Sequence, residues 1–311
     1  MQTAESIAPA AIHAILFATD FSDAAKKAQS YATGLAKRFR AKLIVAHANE
    51  PPNYGLRPEN WRVANQEGAA KMRELKQTLS AVPGLKADFH VDEGSAWNLV
   101  ESVLSNREVD LIVVGTRGRT GVGKLLLGSQ SEEIFRHAPC PVLTVGPHAA
   151  PLTGGENELD EMLYATDFSP ESRASAPLAI EMALALQSHL NLLHVVEEAK
   201  VGELVRPEEV LTSSERLLRS LVPEGAHFWR EPRCFAERGE AVAKILQVAD
   251  RVQAGVIVLG IHKSARSLGV ATHLGSGVAY RVACDATCPV LTVRSSAIAA
   301  PLGAHQFAES F

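Results

Sequence analysis

Short apolar runs alternate with amphipathic stretches along the whole chain, and this alternation organises everything else. Ile12 to Thr19 reads as a first strand, Lys42 to Ala48 as a second and Ala87 to Val91 as a third. Leu111 to Val114 and Val142 to Val145 are apolar runs of the kind expected of strands buried on both faces. Helical patterns lie between them. Ala24 to Arg38 places Ala28, Tyr31, Ala32, Leu35 and Ala36 on one face, with Ser22 as the N-cap. Trp61 to Val82 presents Met72, Leu75, Leu79 and Val82 toward a core, and Trp97 to Asn106 and Glu132 to His137 are shorter helices. Asn49 to Asn60 reads as a loop, broken by Pro51, Pro52, Gly55 and Pro58. Strand and helix alternating in this way predict a parallel sheet with helices on both faces.

The pattern then starts again. His148 to Glu158 is polar and carries Gly and Pro, which suits a linker. Beyond it the run Ala18–Ser22, ATDFS, recurs at Ala165–Ser169, and His47 is matched by His194, both 147 positions on. IVVG ending at Gly115 returns as IVLG ending at Gly260, and CPVLTV from Cys140 returns from Cys288. Landmarks at nearly constant spacing identify a duplication. The expected division is a first domain over 1–147, a linker over 148–158, a second domain over 159–296 and a tail over 297–311.

The stretch after the fourth strand carries the chemistry. Gly115, Gly118 and Gly128–Ser129 form the spacing Gly-x2-Gly-x9-Gly-Ser, between an apolar strand and a helical pattern. Glycines let a backbone approach a ligand closely, and a helix start offers unpaired N–H groups to an anion. With the ATDFS run and the tandem repeat, this spacing resembles the universal stress proteins, whose nucleotide-binding members carry Gly-x2-Gly-x9-Gly-Ser/Thr at this place. The resemblance covers nearly the whole chain.

It implies two doubly wound parallel five-stranded sheets of strand order 3-2-1-4-5, an α/β fold of the adenine-nucleotide alpha hydrolase-like type. Ligands of such sheets lie at the carboxyl ends of the strands, beside the switch point. For the first domain the resemblance implies binding of ATP, or of AMP or ADP, with or without Mg2+. Asp20 with Ala18 and Thr19 would stand at the adenosine end and Ala48 beside the base. Gly115, Thr116, Arg117, Gly118, Gly128, Ser129, Gln130 and Ser131 would surround the ribose and phosphates. A carboxylate can accept from ribose hydroxyls, and a hydroxyl at a helix start can donate to phosphate. Asp20 could equally organise the turn into the first helix, and Ser129 could serve as a helix cap. The implied role is regulatory, in stress, with no catalytic residue assigned. A slow ATPase or phosphotransferase and a nucleotide-free interaction module are the competing readings.

The second domain departs from the pattern. Lys263 stands where the second glycine belongs, and Gly275–Ser276 follow Gly260 at a longer spacing. Asp167 and Val195 keep the adenosine-side positions, yet a ligand-free site is expected there. His262 and His273 read as ordinary loop residues. In the first domain Gly123–Lys124 imitates a P-loop, but Leu125 replaces the Ser or Thr that holds magnesium.

Bulk properties narrow the partners. The 311 residues carry 31 basic and 35 acidic side chains, which leaves no electrostatic footprint for nucleic acid or an anionic membrane. No apolar run reaches membrane-span length. The N-terminal stretch has no basic region, so a cytoplasmic location is expected. Cys140, Cys234, Cys284 and Cys288 have no zinc spacing and read as buried reduced thiols. The resemblance further implies a pseudo-dimer of the two domains through their fifth strands, Val142–Val145 and Val290–Val293, and a homodimer as a further option.

Overall fold

The computed structural model describes residues 12–49, 58–116, 128–155, 158–197, 206–261 and 277–294. The chain divides into two compact units. One comprises Ile12–Pro147 with Pro151–Thr153, and the other holds His148–Ala150 and the chain from Gly154.

The first unit runs β1 (Ala14–Ala18), α1 (Asp23–Phe39), β2 (Lys42–Asn49), α2 (Pro58–Ser80), β3 (Lys86–Glu93), α3 (Ala96–Asn106), β4 (Leu111–Gly115), α4 (Ser129–His137) and β5 (Val142–Val145). Its strands pair in the order β3-β2-β1-β4-β5, all parallel. Ile15, Leu16 and Phe17 are each 0% exposed although neighbours in a strand point to opposite faces, so helices must cover both. On one face Leu16, Ile44, Ile112 and Val142 meet Val100 and Val103 of α3 and Ile134 of α4. On the other, α1 packs against β1 and β4 through Ala28, Tyr31, Ala32 and Leu35. Ser22 Oγ accepts from Ala25 N at 3.2 Å and caps α1, and Arg40 in the left-handed region ends it.

Two features of this unit differ from the sequence pattern. Helix α2 begins at Pro58, a residue read as a loop breaker. Proline suits the first helical position, because its missing N–H would have no intrahelical partner there. Part of the expected linker is also packed. Leu152 N donates to Ser30 Oγ at 2.8 Å, and the Leu152 side chain fills a notch at Gly34 of α1, where an added Cβ would run into it.

The second unit runs β6 (Glu161–Ala165), α5 (Pro170–Ala174), α6 (Ala176–Leu186), β7 (His189–Val196), α7 (Pro207–Ser220), β8 (Arg233–Arg238), α8 (Ala241–Val252), β9 (Val256–Ile261), α9 (Val278–Asp285) and β10 (Val290–Arg294). Its strand order is β8-β7-β6-β9-β10, again all parallel, so the duplication holds at the level of topology. The counterpart of α1 is broken into α5 and α6. Pro177 has no N–H and its ring crowds the carbonyl four residues back. The Ser172 carbonyl beside the break accepts from Tyr164 Oη and from Ser175 Oγ, both at 2.6 Å. These buried hydroxyls make the interruption tolerable.

His90 on β3 makes the stability of the first unit sensitive to pH. Its Nε2 is buried with no hydrogen-bond partner among the described residues. Burial first, then the Arg107 guanidinium, holds its pKa below the ordinary histidine value. The native state therefore prefers the neutral ring, while the unfolded chain takes up a proton first as pH falls. The contribution is complete above about pH 6.5 and is lost as pH falls from there through the depressed native-state value. Urea titrations from pH 8 to pH 5 are expected to show this loss, reduced in His90→Phe. Phe is the residue found at the same register of the second unit, where Leu193 pairs with Phe235 as Ala46 pairs with His90.

Candidate nucleotide site of the first domain

The ATDFS run is a self-contained turn. Thr19 Oγ1 accepts from Phe21 N at 3.0 Å, and Asp20 Oδ1 accepts from Ser22 N at 2.9 Å. Phe21 adopts a positive φ of 60°, a strained choice for an aromatic residue that the two side-chain bonds hold in place. His47 of β2 closes the arrangement. Its Nδ1 lies 2.8 Å from the Thr19 carbonyl, which can only accept, so Nδ1 carries the proton. The His47 and Phe21 rings lie 4.4 Å apart. All of this recurs in the second unit through Thr166, Asp167, Phe168, Ser169 and His194. The motif thus has a folding role in both units, and its carboxylate is delivered to the carboxyl end of the first strand as a consequence.

Gly115 ends β4 against the start of α1. A Cβ on it would lie 2.5–2.7 Å from backbone atoms of Ala24 and Ala25. Gly260 is held in the same way by Ser172, Ser175 and Glu171 of α5 and its C-cap. The first glycine of the pattern is therefore required by helix packing whether or not a ligand is bound.

Helix α4 begins with Gly128 as its cap residue and has no side-chain cap, so its first N–H groups are offered outward. The two residues after Ser129 hold this start in place. Gln130 Oε1 accepts from Ala96 N of α3 at 2.8 Å, and Ser131 Oγ donates to the Gly115 carbonyl at 2.8 Å. Because its single proton is committed to that carbonyl, Ser131 ties the end of β4 to the start of α4.

A cavity of about 400 Å³ opens between these elements, at the carboxyl ends of β1, β2 and β4. Of the residues singled out in the sequence, Ala18, Thr19, Asp20, Ala48, Gly115, Gly128, Gln130 and Ser131 border it. Thr116 does not. It is buried, and its N and Oγ1 both donate to the Val145 carbonyl, at 2.9 and 3.3 Å, which fastens β4 to β5. Ser129 is the first residue of α4. Arg117 and Gly118 lie outside the described residues, as do Lys263, Gly275, Ser276, His262 and His273.

Several wall residues carried no signal that motif reading uses. His47, Asn49 and Asn65 form a polar side of the cavity. Helix α2 reaches it because Gly68 lacks a side chain, since a Cβ there would sit 2.9 Å from Asn49 Oδ1 and 3.1 Å from His47 Nε2. The apolar side consists of Ala46, Leu99, Val100, Val114 and Ile134. The recurrence of His47 was visible, but not its place on this wall.

No cysteine borders the cavity. None of the four cysteines forms a disulfide, and burial pushes the thiol pKa of Cys140 and of Cys288 up to about 12. No described helix is long and apolar enough to cross a membrane.

A parallel sheet of order β3-β2-β1-β4-β5 with a crevice at its switch point is a doubly wound α/β architecture, consistent with the adenine-nucleotide alpha hydrolase-like fold. The model of the universal stress protein family matches residues 11–146 and again residues 158–294. The chain belongs to the universal stress protein family, as a tandem member. A universal stress protein of Thermus aquaticus is 40% identical over 134 residues, which is 42% of this chain and 96% of that protein. One from Methanocaldococcus jannaschii is 32% identical over 137 residues, 42% of this chain and 80% of that protein. In fold, a universal stress protein crystal structure from Archaeoglobus fulgidus covers 94% of this chain, and 99% of that chain is matched, at a TM-score of 0.65 and 20% identity.

Proposed function

We propose that the first domain binds ATP or another adenine nucleotide and serves as a regulatory nucleotide-binding module in a stress response. The observation that carries this reading is the uncapped start of α4, which opens on the same cavity as Asp20. Those N–H groups suit an anion, and the helix dipole adds to the attraction. Phosphate oxygens would sit there, and the ribose hydroxyls would donate to the Asp20 carboxylate at the other end of the cavity. The base would lie against Ala48 on the apolar side. The cavity volume falls in the range of small-molecule sites. The ligand-free reading of the second domain is part of the same proposal, as is the division into two domains around residues 148–158.

Thermal unfolding with increasing ATP tests the reading. A ligand that binds only the native state stabilises it by about 2.7 kcal/mol at a hundredfold excess over Kd. A midpoint that rises steadily with ATP is expected. A midpoint that does not move up to millimolar ATP would overturn the proposal.

A further inference from the structure

We infer that His47, on the polar side of the cavity, selects adenine by accepting a hydrogen bond from its exocyclic amine, with Asn65 taking the amine's second hydrogen. This rests on the adenine-nucleotide reading above and deepens it. The apolar side of the cavity is closed. Ala46, Val114 and Ile134 are each 2% exposed and Val100 is 0% exposed, so a base lying against Ala48 goes no deeper there. Its free edge, opposite the glycosidic bond, meets the polar side instead. In adenine that edge carries the amine.

Successive side chains of β2 point to opposite faces, and the cavity reaches both at the end of the strand. Ala48 borders it from one face, His47 and Asn49 from the other, and Asn65 of α2 completes that wall. Asn49 and Asn65 are half-buried, unlike the apolar residues just named. Asn65 Oδ1 is buried with no hydrogen-bond partner among the described residues. A buried acceptor left without a donor costs free energy, and on a cavity wall the N–H of a ligand supplies what is lacking.

His47 supplies the selection because its ring has one role only. Nδ1 donates to the Thr19 carbonyl at 2.8 Å, so Nε2 carries the lone pair and is an acceptor. The ring is 9% exposed and lies 4.4 Å from the Phe21 ring, and turning it over would lose the bond to Thr19. An amide such as Asn65 can turn either end to a ligand, whereas this imidazole offers a single acceptor. Its partner must therefore be a donor. The adenine amine is one. The oxygen that guanine carries at the same place is not, and it would face the lone pair.

Calorimetric titration of the full chain with ATP and with purine riboside triphosphate, which has hydrogen in place of the amine, tests the inference. The purine compound is expected to bind at least about tenfold more weakly than ATP, or ~1.4 kcal/mol. His47→Asn keeps an N–H donor for the Thr19 carbonyl and removes Nε2, and it is expected to cut that ratio at least about threefold. The same change at His194, which bonds the Thr166 carbonyl in the second unit, is expected to leave the ratio unchanged. Asn65→Ala is expected to narrow the ratio as well and serves if His47→Asn does not fold. Equal binding of the two compounds by the wild type, or an equal loss for both in His47→Asn, would overturn the selection by His47 and leave the nucleotide reading standing. Binding of neither compound by the wild type would overturn both.

Discussion

Gly115→Ala is expected to cost about 3 kcal/mol of stability, the upper end of the usual range for overpacking. The added methyl would meet the Ala24 carbonyl carbon at 2.5 Å and Ala25 N at 2.7 Å. Backbone inside a capped helix cannot move aside as a flexible side chain can. The strand end must therefore separate from α1. Gly260→Ala is expected to produce a loss of similar size, because its Cβ would meet Ser172 Cα at 2.6 Å and Ser175 Oγ at 2.8 Å. Urea unfolding of both variants measures this. The pair is informative because only the first domain is proposed to hold a ligand. Equal losses mean that this glycine of the pattern is retained for packing in both halves. A loss below about 0.5 kcal/mol in Gly115→Ala would mean that its place is set by something other than α1.

Gly128→Asp is expected to separate binding from folding in the opposite sense. Gly128 has φ −60° and ψ 150°, angles that any residue adopts at a helix cap. Aspartate caps better than glycine by a few tenths of a kcal/mol, so the variant should fold at least as well as the wild type. Its carboxylate would accept from the same N–H groups that a phosphate needs and would repel the incoming charge. ATP affinity is expected to fall at least about a hundredfold, or ~2.7 kcal/mol. Undiminished affinity in a folded Gly128→Asp protein would place the phosphates elsewhere.

The duplication and most of the elements were legible in the sequence, because buried parallel strands and amphipathic helices write their periods directly, whereas the strand order came only from the resemblance to the family. What remained hidden has physical causes. Helix α4 begins at Ser129, ahead of the apolar periodicity, since Gln130 and Ser131 spend their polarity on α3 and β4. Pro177 marks the break between α5 and α6 in the sequence, but the Tyr164 hydroxyl that satisfies the Ser172 carbonyl beside it is visible only in the fold. Strand β3 continues to Glu93 through exposed polar residues, because pairing with β2 up to Asn49 continues where burial stops. The site itself was half legible. Gly115 and Gly128 by their spacing, and Asp20 and Ala48 through the resemblance to the family, were singled out, and all four border one cavity. Thr116 was included because it follows Gly115, but its bonds to Val145 turn it into the sheet. Asn65 and Ala46 were missed, since their role depends on a helix approach and on strand register.

Mass spectrometry of small molecules released on denaturing the purified protein tests the central claim most directly. About one adenine nucleotide per chain is the predicted result, held by the first domain alone and absent from preparations of Gly128→Asp. Two per chain would contradict the ligand-free second domain. No nucleotide, together with an unfolding midpoint that ATP does not raise, would contradict the nucleotide site altogether.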